Sequence, residues 1–189
     1  TQLLISGNGT RWKPAGVNGW LRQLGVFNQR SHEKRVPQEA FRLSNKQIAL
    51  LLRHMWAADG CIWVRKKGRG SHRVYYATNS PGLAHDVSAL LLRLGIQARL
   101  KRVEQEEHSD GYVVEVSGRD AQLLFLERVG AFGPRAEAAR ELQELLCDLQ
   151  SNTNVDTLPV EVFDLVRARM KERGITQREM ARRRGTAYG

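Results

Sequence analysis

The sequence predicts an α+β fold whose central repeat runs helix, strand, strand, helix, strand, strand, helix, followed by a helical extension. Three observations predict it. Apolar residues recur at helical spacing over 46–58, 83–94 and 121–129; two pairs of alternating segments lie between those helices; and a block near the N-terminus repeats the end of the unit. The chain has 189 residues, of which 41% are hydrophobic, enough to bury a core, so a disordered basic tail is excluded. No apolar run reaches the roughly 18 residues of a membrane span, since Arg53 and His54 interrupt the best candidate, and a soluble chain is expected.

Each element has a local cause. Ile48, Leu51, Leu52 and Met55 share one helical face behind Ser44 and Asn45 as caps, and Asp59-Gly60 ends that helix. Segments 61–65 and 72–78 alternate on either side of a Lys/Gly/Arg turn, which predicts a hairpin. Leu83, Val87, Leu90, Leu91 and Leu94 define a second helix stopped by Gly95. Segments 97–103 and 112–117 read as a second strand pair around an acidic turn at 104–110. Helices at 121–129 and 136–149 follow, and the polar run 151–157 reads as a linker. Beyond it, a helix over 160–173 closes at Gly174, and Thr176 caps a last helix over 177–184 before Gly185. Thr176-Gln-Arg-Glu-Met-Ala-Arg-Arg-Arg-Gly185 resembles the start of a helix-turn-helix module.

Leu4-Ile5-Ser6-Gly7, then Trp20-Leu21 to Gly25-Val26-Phe27 and Arg30, matches Val114 to Gly118, then Phe125-Leu126 to Gly130-Ala131-Phe132 and Arg135. The pattern returns roughly 105 to 111 residues later, as an internal duplication would leave it. Residues 1–42 then form the end of a first repeat, 43–150 a complete repeat, and 151–189 a linker with a helix-turn-helix-like extension. With no initiating Met and no signal peptide, the chain is expected to begin partway into a longer polypeptide. Cys61 and Cys147 lack zinc-finger spacing and suit a reducing cytoplasm.

Thirty Lys and Arg against twenty Asp and Glu give a net charge of +10, which makes a polyanion the leading partner, and nucleic acid the commonest one. Asp59 falls at a helix C-terminus, where the dipole's negative end disfavours a carboxylate and calls for a compensating cation. Magnesium, which takes carboxylate, water and phosphate oxygens, is one candidate; an ordinary helix stop at Asp59-Gly60 is the other reading. Strand alternation sends Ile62, Val64, Ala98 and Leu100 to the core. It leaves Trp63, Arg65, Lys67, Arg73, Tyr75, Gln97, Arg99 and Lys101 on an opposite face suited to DNA, with Lys meeting phosphate and Arg also able to fork onto guanine.

The stretch Leu51 to Gly60, the strand order after it and the duplication resemble the LAGLIDADG (dodecapeptide) homing endonucleases. Arg30-Ser31-His32-Glu33-Lys34-Arg35-Val36-Pro37, Tyr75-Tyr76-Ala77-Thr78 and Leu90-Leu91-Leu92-Arg93-Leu94-Gly95-Ile96 bring the likeness closer to endonuclease domains of inteins in bacterial replicative helicases. The resemblance implies an αββαββα repeat with a concave antiparallel sheet, and Mg²⁺-dependent hydrolysis of both strands of double-stranded DNA. It assigns the metal to Asp59 and Gly60, catalysis to Asp59, and polarisation of water to Lys101. A second acidic helix is required, supplied by self-association or by a missing N-terminal half packed against the helix over 51–58. His54 replaces the motif's glycine and Ala57 its earlier acidic residue, while Ala58 keeps the small residue. A DNA-binding remnant that no longer cleaves is the competing reading. Splicing belongs to a parent polypeptide, because Thr1 is no acyl-shift residue and no His-Asn pair ends the chain.

Overall fold

A computed structural model describes residues 9, 10, 12, 13, 15–66, 71–104, 110–149 and 160–185, and divides the chain into two compact units, Thr1–Ser151 and Asn152–Gly189. In the first unit, α1 (Gly16–Gln23) precedes α2 (Asn45–Asp59), β1 (Gly60–Trp63), β2 (Arg73–Thr78), α3 (Pro81–Arg93), β3 (Arg99–Val103), β4 (Gly111–Val116), α4 (Arg119–Arg128) and α5 (Ala136–Asp148). The αββαββα order expected from the sequence is therefore present from α2 to α4. The four strands form one antiparallel sheet in the order β1-β2-β4-β3, so the inner strands of the two pairs join at the centre.

Local chemistry sets the helix starts. Ser44 caps α2 reciprocally: its Oγ accepts from the Gln47 N–H (3.4 Å), and Gln47 Oε1 accepts from the Ser44 N–H (3.0 Å). Ser80 caps α3 through the Leu83 N–H (3.1 Å) and donates to the Lys34 carbonyl (2.7 Å), tying the approach segment to the start of α3. Asp86 inside α3 is buried but fully used: Arg35 forks onto it at 2.7 and 2.8 Å, and the Val36 N–H donates to it at 3.0 Å.

One face of the sheet carries the core. Val74, Val114 and Val116 meet Ile48, Leu52 and Trp56 of α2, Leu90 and Leu91 of α3, and Phe125 of α4, all fully buried. Each large side chain so buried contributes roughly 1.5–3 kcal/mol. The Trp56 ring lies 4.8 Å from Phe125 and 5.5 Å from Tyr76, between α4 and the sheet. That packing fixes where α2 ends.

Arginines close the carbonyl ends of these helices. Arg53 donates to the Val129 carbonyl beyond α4 (2.5 Å), Arg119 to Leu146 near the end of α5 (2.8 Å), and Arg93 to Leu43 (2.9 Å). Arg128 donates to the Leu94 carbonyl at the end of α3, and Arg135 serves α2. Four of these arginines, Arg53, Arg119, Arg128 and Arg135, are thus spent internally on the unfavourable ends of helix dipoles, while Arg93 ties down the segment that leads into α2. Composition alone had directed the whole cationic excess to a polyanion; part of it is structural.

Two expected boundaries move. β1 stops at Trp63, leaving Arg65 past its end, and β3 starts at Arg99, leaving Gln97 before it. Lys67, the acidic turn at 105–109 and the upstream Leu4 to Gly7 block lie outside the described residues. α1 and α4 end alike, with Gly25 at φ +68 and Gly130 at φ +64 closing the last turn in the left-handed region.

In the second unit, α6 (Val160–Glu172) and α7 (Gln177–Arg184) are joined through Gly174 at φ +64, and the Thr176 Oγ1 accepts from the Glu179 N–H at 3.2 Å. The pair flanks an apolar cleft of about 430 Å³ lined by Val162, Val166, Met170, Ile175 and Met180. Among the described residues no helix is long and apolar enough to cross a membrane.

Candidate nucleic-acid interface

Asp59 is the last residue of α2, and its side chain is exposed. The cation demanded by the helix end is Arg135, which donates from Nε to the Gly60 carbonyl (2.6 Å) and from its two terminal nitrogens to Ala57 (2.5 Å) and Ala58 (3.2 Å). One fork therefore satisfies three carbonyls that the helix cannot serve itself. It does not take the carboxylate: among the described residues no basic group forms an ion pair with Asp59. The compensating charge that the sequence left open is thus a side chain acting on the carbonyls, and Asp59 stays available.

Gly60 has a structural task. A Cβ there would sit 2.4 Å from Trp56 Cδ1 and 2.6 Å from Trp56 Cα, so only glycine lets β1 leave across the buried indole. Its carbonyl faces the Arg135 guanidinium, a poor neighbour for a cation, which leaves Asp59 as the metal-type group of the pair assigned by resemblance. The buried Tyr76 lies close by; its hydroxyl is pushed up to about 12, first by burial and then by the charge of Asp59. Among the described residues no group of three His, Cys, Asp or Glu is arranged to hold a metal ion.

The outward face of the sheet follows from register. Cys61, Tyr75, Glu115 and Arg99 form one row across the four strands, Ala77, Val113 and Lys101 the next, and Trp63 pairs with Arg73 at the other end. Arg73, Arg99 and Lys101 are exposed on this face as expected. The Arg73 guanidinium lies 4.9 Å from the Tyr75 ring centre, and Arg65 lies 5.9 Å from that of Trp63, which is 45% exposed. The Tyr75 hydroxyl is raised chiefly by its hydrogen bond with Cys61. Gln97 is exposed but precedes the strand.

Two corrections follow. Lys101 is not brought to Asp59: β3 and β1 are opposite edges of the sheet, three strand spacings or roughly 14 Å apart. Its ammonium group contacts Glu115 instead. Glu115 was missed altogether. The alternation that buries Val114 and Val116 points it to the basic face, where Arg73 approaches it at 3.7 Å. Arg135 was also missed as a helix cap, although the duplication had marked it as the counterpart of Arg30.

Residues 46–130, from the first turn of α2 to the glycine after α4, match the family of LAGLIDADG-like domains. Over these residues the chain is similar to LAGLIDADG-like domains. Over 176 residues (92% of the chain) it is 47% identical to the replicative DNA helicase DnaB of Rhodothermus marinus, covering 19% of that protein. The corresponding protein of Synechocystis is 36% identical over 95% of the chain and 21% of its own length, and RecA of Mycobacterium tuberculosis 28% identical over 92% and 24%. The chain thus spans about a fifth of the length of the DnaB relatives. Among solved structures, homing endonuclease I-CvuI in complex with a DNA target in the presence of Mg aligns with 55% of this chain and 67% of its own, at a TM-score of 0.39 and 16% identity.

Proposed function

We propose that the first unit is a site-specific endonuclease for double-stranded DNA, of the intein-encoded homing type, that depends on a divalent cation, Mg²⁺ in the cell. The observation that carries the reading is Asp59: an exposed carboxylate without an ion-pair partner among the described residues, held at the end of a capped helix beside a basic sheet face. An oxygen donor of this kind suits Mg²⁺, which takes one or two carboxylates and completes its shell with water and phosphate. Bound there, the ion would neutralise charge developing on the attacked phosphodiester. Trp56, Gly60 and Arg135 fix the direction in which Asp59 leaves the helix. Arg73, Arg99 and Lys101 take phosphates or guanine edges, and Tyr75 and Trp63 offer ring faces.

Residues 1–42 are read as the end of a first repeat, 43–150 as the complete one and 151–189 as an extension. The second acidic helix that such a site needs packs along α2, where Leu50, His54 and Ala58 form an exposed stripe at a spacing of four. His54 already rests edge-on against Phe132, 4.9 Å between ring centres. A second copy of the chain, or the upstream half in the parent polypeptide, supplies that helix.

Ala57 and His54, in place of the motif's acidic residue and glycine, favour a second reading: a DNA-binding remnant without cleavage. A supercoiled plasmid carrying an uninterrupted helicase gene separates the two. With Mg²⁺, the wild type nicks or linearises it and Asp59→Asn does not; retardation without cleavage by either protein establishes the remnant.

A further inference from the structure

Resting on the DNA-binding reading, we propose that Glu115 is a specificity-determining residue, a carboxylate that restrains the basic sheet from gripping any duplex. It stands on β4, an inner strand, with Arg99 across from it on β3 and Tyr75 on β2. Its side chain is only 14% exposed, although it sits on the outward face, because Arg73 and Lys101 close over it from the two neighbouring strands. Those two cations are themselves about half exposed, at 51% and 52%, so they can reach outward as well as inward.

The arrangement has a consequence for a polyanion. Of the three cations on strands facing outward, Arg99 alone has no ion pair with Glu115, while Arg73 and Lys101 must leave it to meet phosphate. Their departure would strand a carboxylate, mostly withdrawn from water, beneath a phosphate backbone, where like charges repel. A duplex repays that loss only if it presents a hydrogen-bond donor to the carboxylate. Base edges in the major groove supply one in the exocyclic amino group, and carboxylates typically take it from cytosine N4. Phosphate never does. Glu115 therefore subtracts from sequence-independent binding and is satisfied by a site that places an amino donor above it.

The test is binding of random-sequence duplex DNA by the full chain, measured over a range of salt without divalent ion. Glu115→Gln keeps the side chain's size and removes its charge. Glu127→Gln, on the exposed part of α4, changes net charge equally but away from the sheet. We expect Glu115→Gln to bind random duplex on the order of ten-fold more tightly, with a salt slope steeper by one to two as Arg73 and Lys101 become free for phosphate. Glu127→Gln should stay within about two-fold of wild type. Glu115→Ala, checked for a native circular dichroism spectrum, should behave as Glu115→Gln does. Unchanged or weaker binding by both Glu115 variants overturns the proposal, and so does an equal gain in Glu127→Gln. If wild type and variants alike fail to bind duplex DNA at any salt, the nucleic-acid reading itself has failed, an outcome distinct from a wild type that binds and a variant that matches it.

Discussion

Replacing Arg135 by alanine should destabilise the first unit by about 2–4 kcal/mol, and the structure shows why. The guanidinium donates three hydrogen bonds to the carbonyls of Ala57, Ala58 and Gly60, at 2.5, 3.2 and 2.6 Å. A hydrogen bond with a charged partner contributes about 1.5–3 kcal/mol, but three made by one group are not additive, and the longest is open to water that would replace it. The cation also meets the negative end of α2, worth another 0.3–1 kcal/mol or so. Arg135→Lys keeps the charge without the planar fork, and should recover only the dipole share and one hydrogen bond. Urea unfolding followed by tryptophan fluorescence measures both variants, since Trp56 sits in the core immediately before the first of these carbonyls. A loss below about 0.5 kcal/mol for alanine, or full rescue by lysine, would refute the claim that the fork holds the helix end.

Further outcomes follow from the same region. Because the Tyr76 hydroxyl ionises near 12 in the folded chain, against 10.0 ordinarily, its contribution is intact below pH 10 and lost as pH rises from 10 to 12. A rise from 10.0 to about 12 corresponds to at most about 3 kcal/mol, and Tyr76→Phe should flatten the alkaline limb of the stability profile measured by urea unfolding. Gly60→Ala should cost about 3 kcal/mol or prevent folding, because its methyl group would overlap Trp56; near-normal thermal unfolding would show that β1 can shift aside. Arg99→Ala should lower the salt slope of DNA binding by about 1, whereas Lys101→Ala, whose ammonium group is held by Glu115, should change it less.

The helices and the sheet face were legible because they rest on periodicity. Ile48, Leu52 and Trp56 fall on one side of α2 at spacings of four, and Val114 and Val116 alternate with Glu115, so burial follows from the amino-acid order. Asp59 could be placed at a helix end by Asp-Gly alone. What stayed hidden is what depends on distance in space. That Arg135, 76 positions after Asp59, reaches the carbonyls of α2 is set by how α5 enters the fold, and that β2 lies against β4 is set by the sheet order. Lys101 was misplaced for the same reason: alternation gives the face of a strand but not which edge it occupies. Glu115 is legible from the same pattern, since it alternates with the buried Val114 and Val116 and so faces the cations outward.

The most direct test of the account is manganese bound to the protein–DNA complex, counted by electron paramagnetic resonance, for wild type and Asp59→Asn at equal DNA occupancy. The account predicts that the wild-type complex holds a divalent ion that the variant loses while its hold on DNA persists. Equal ion binding by the two complexes would contradict it.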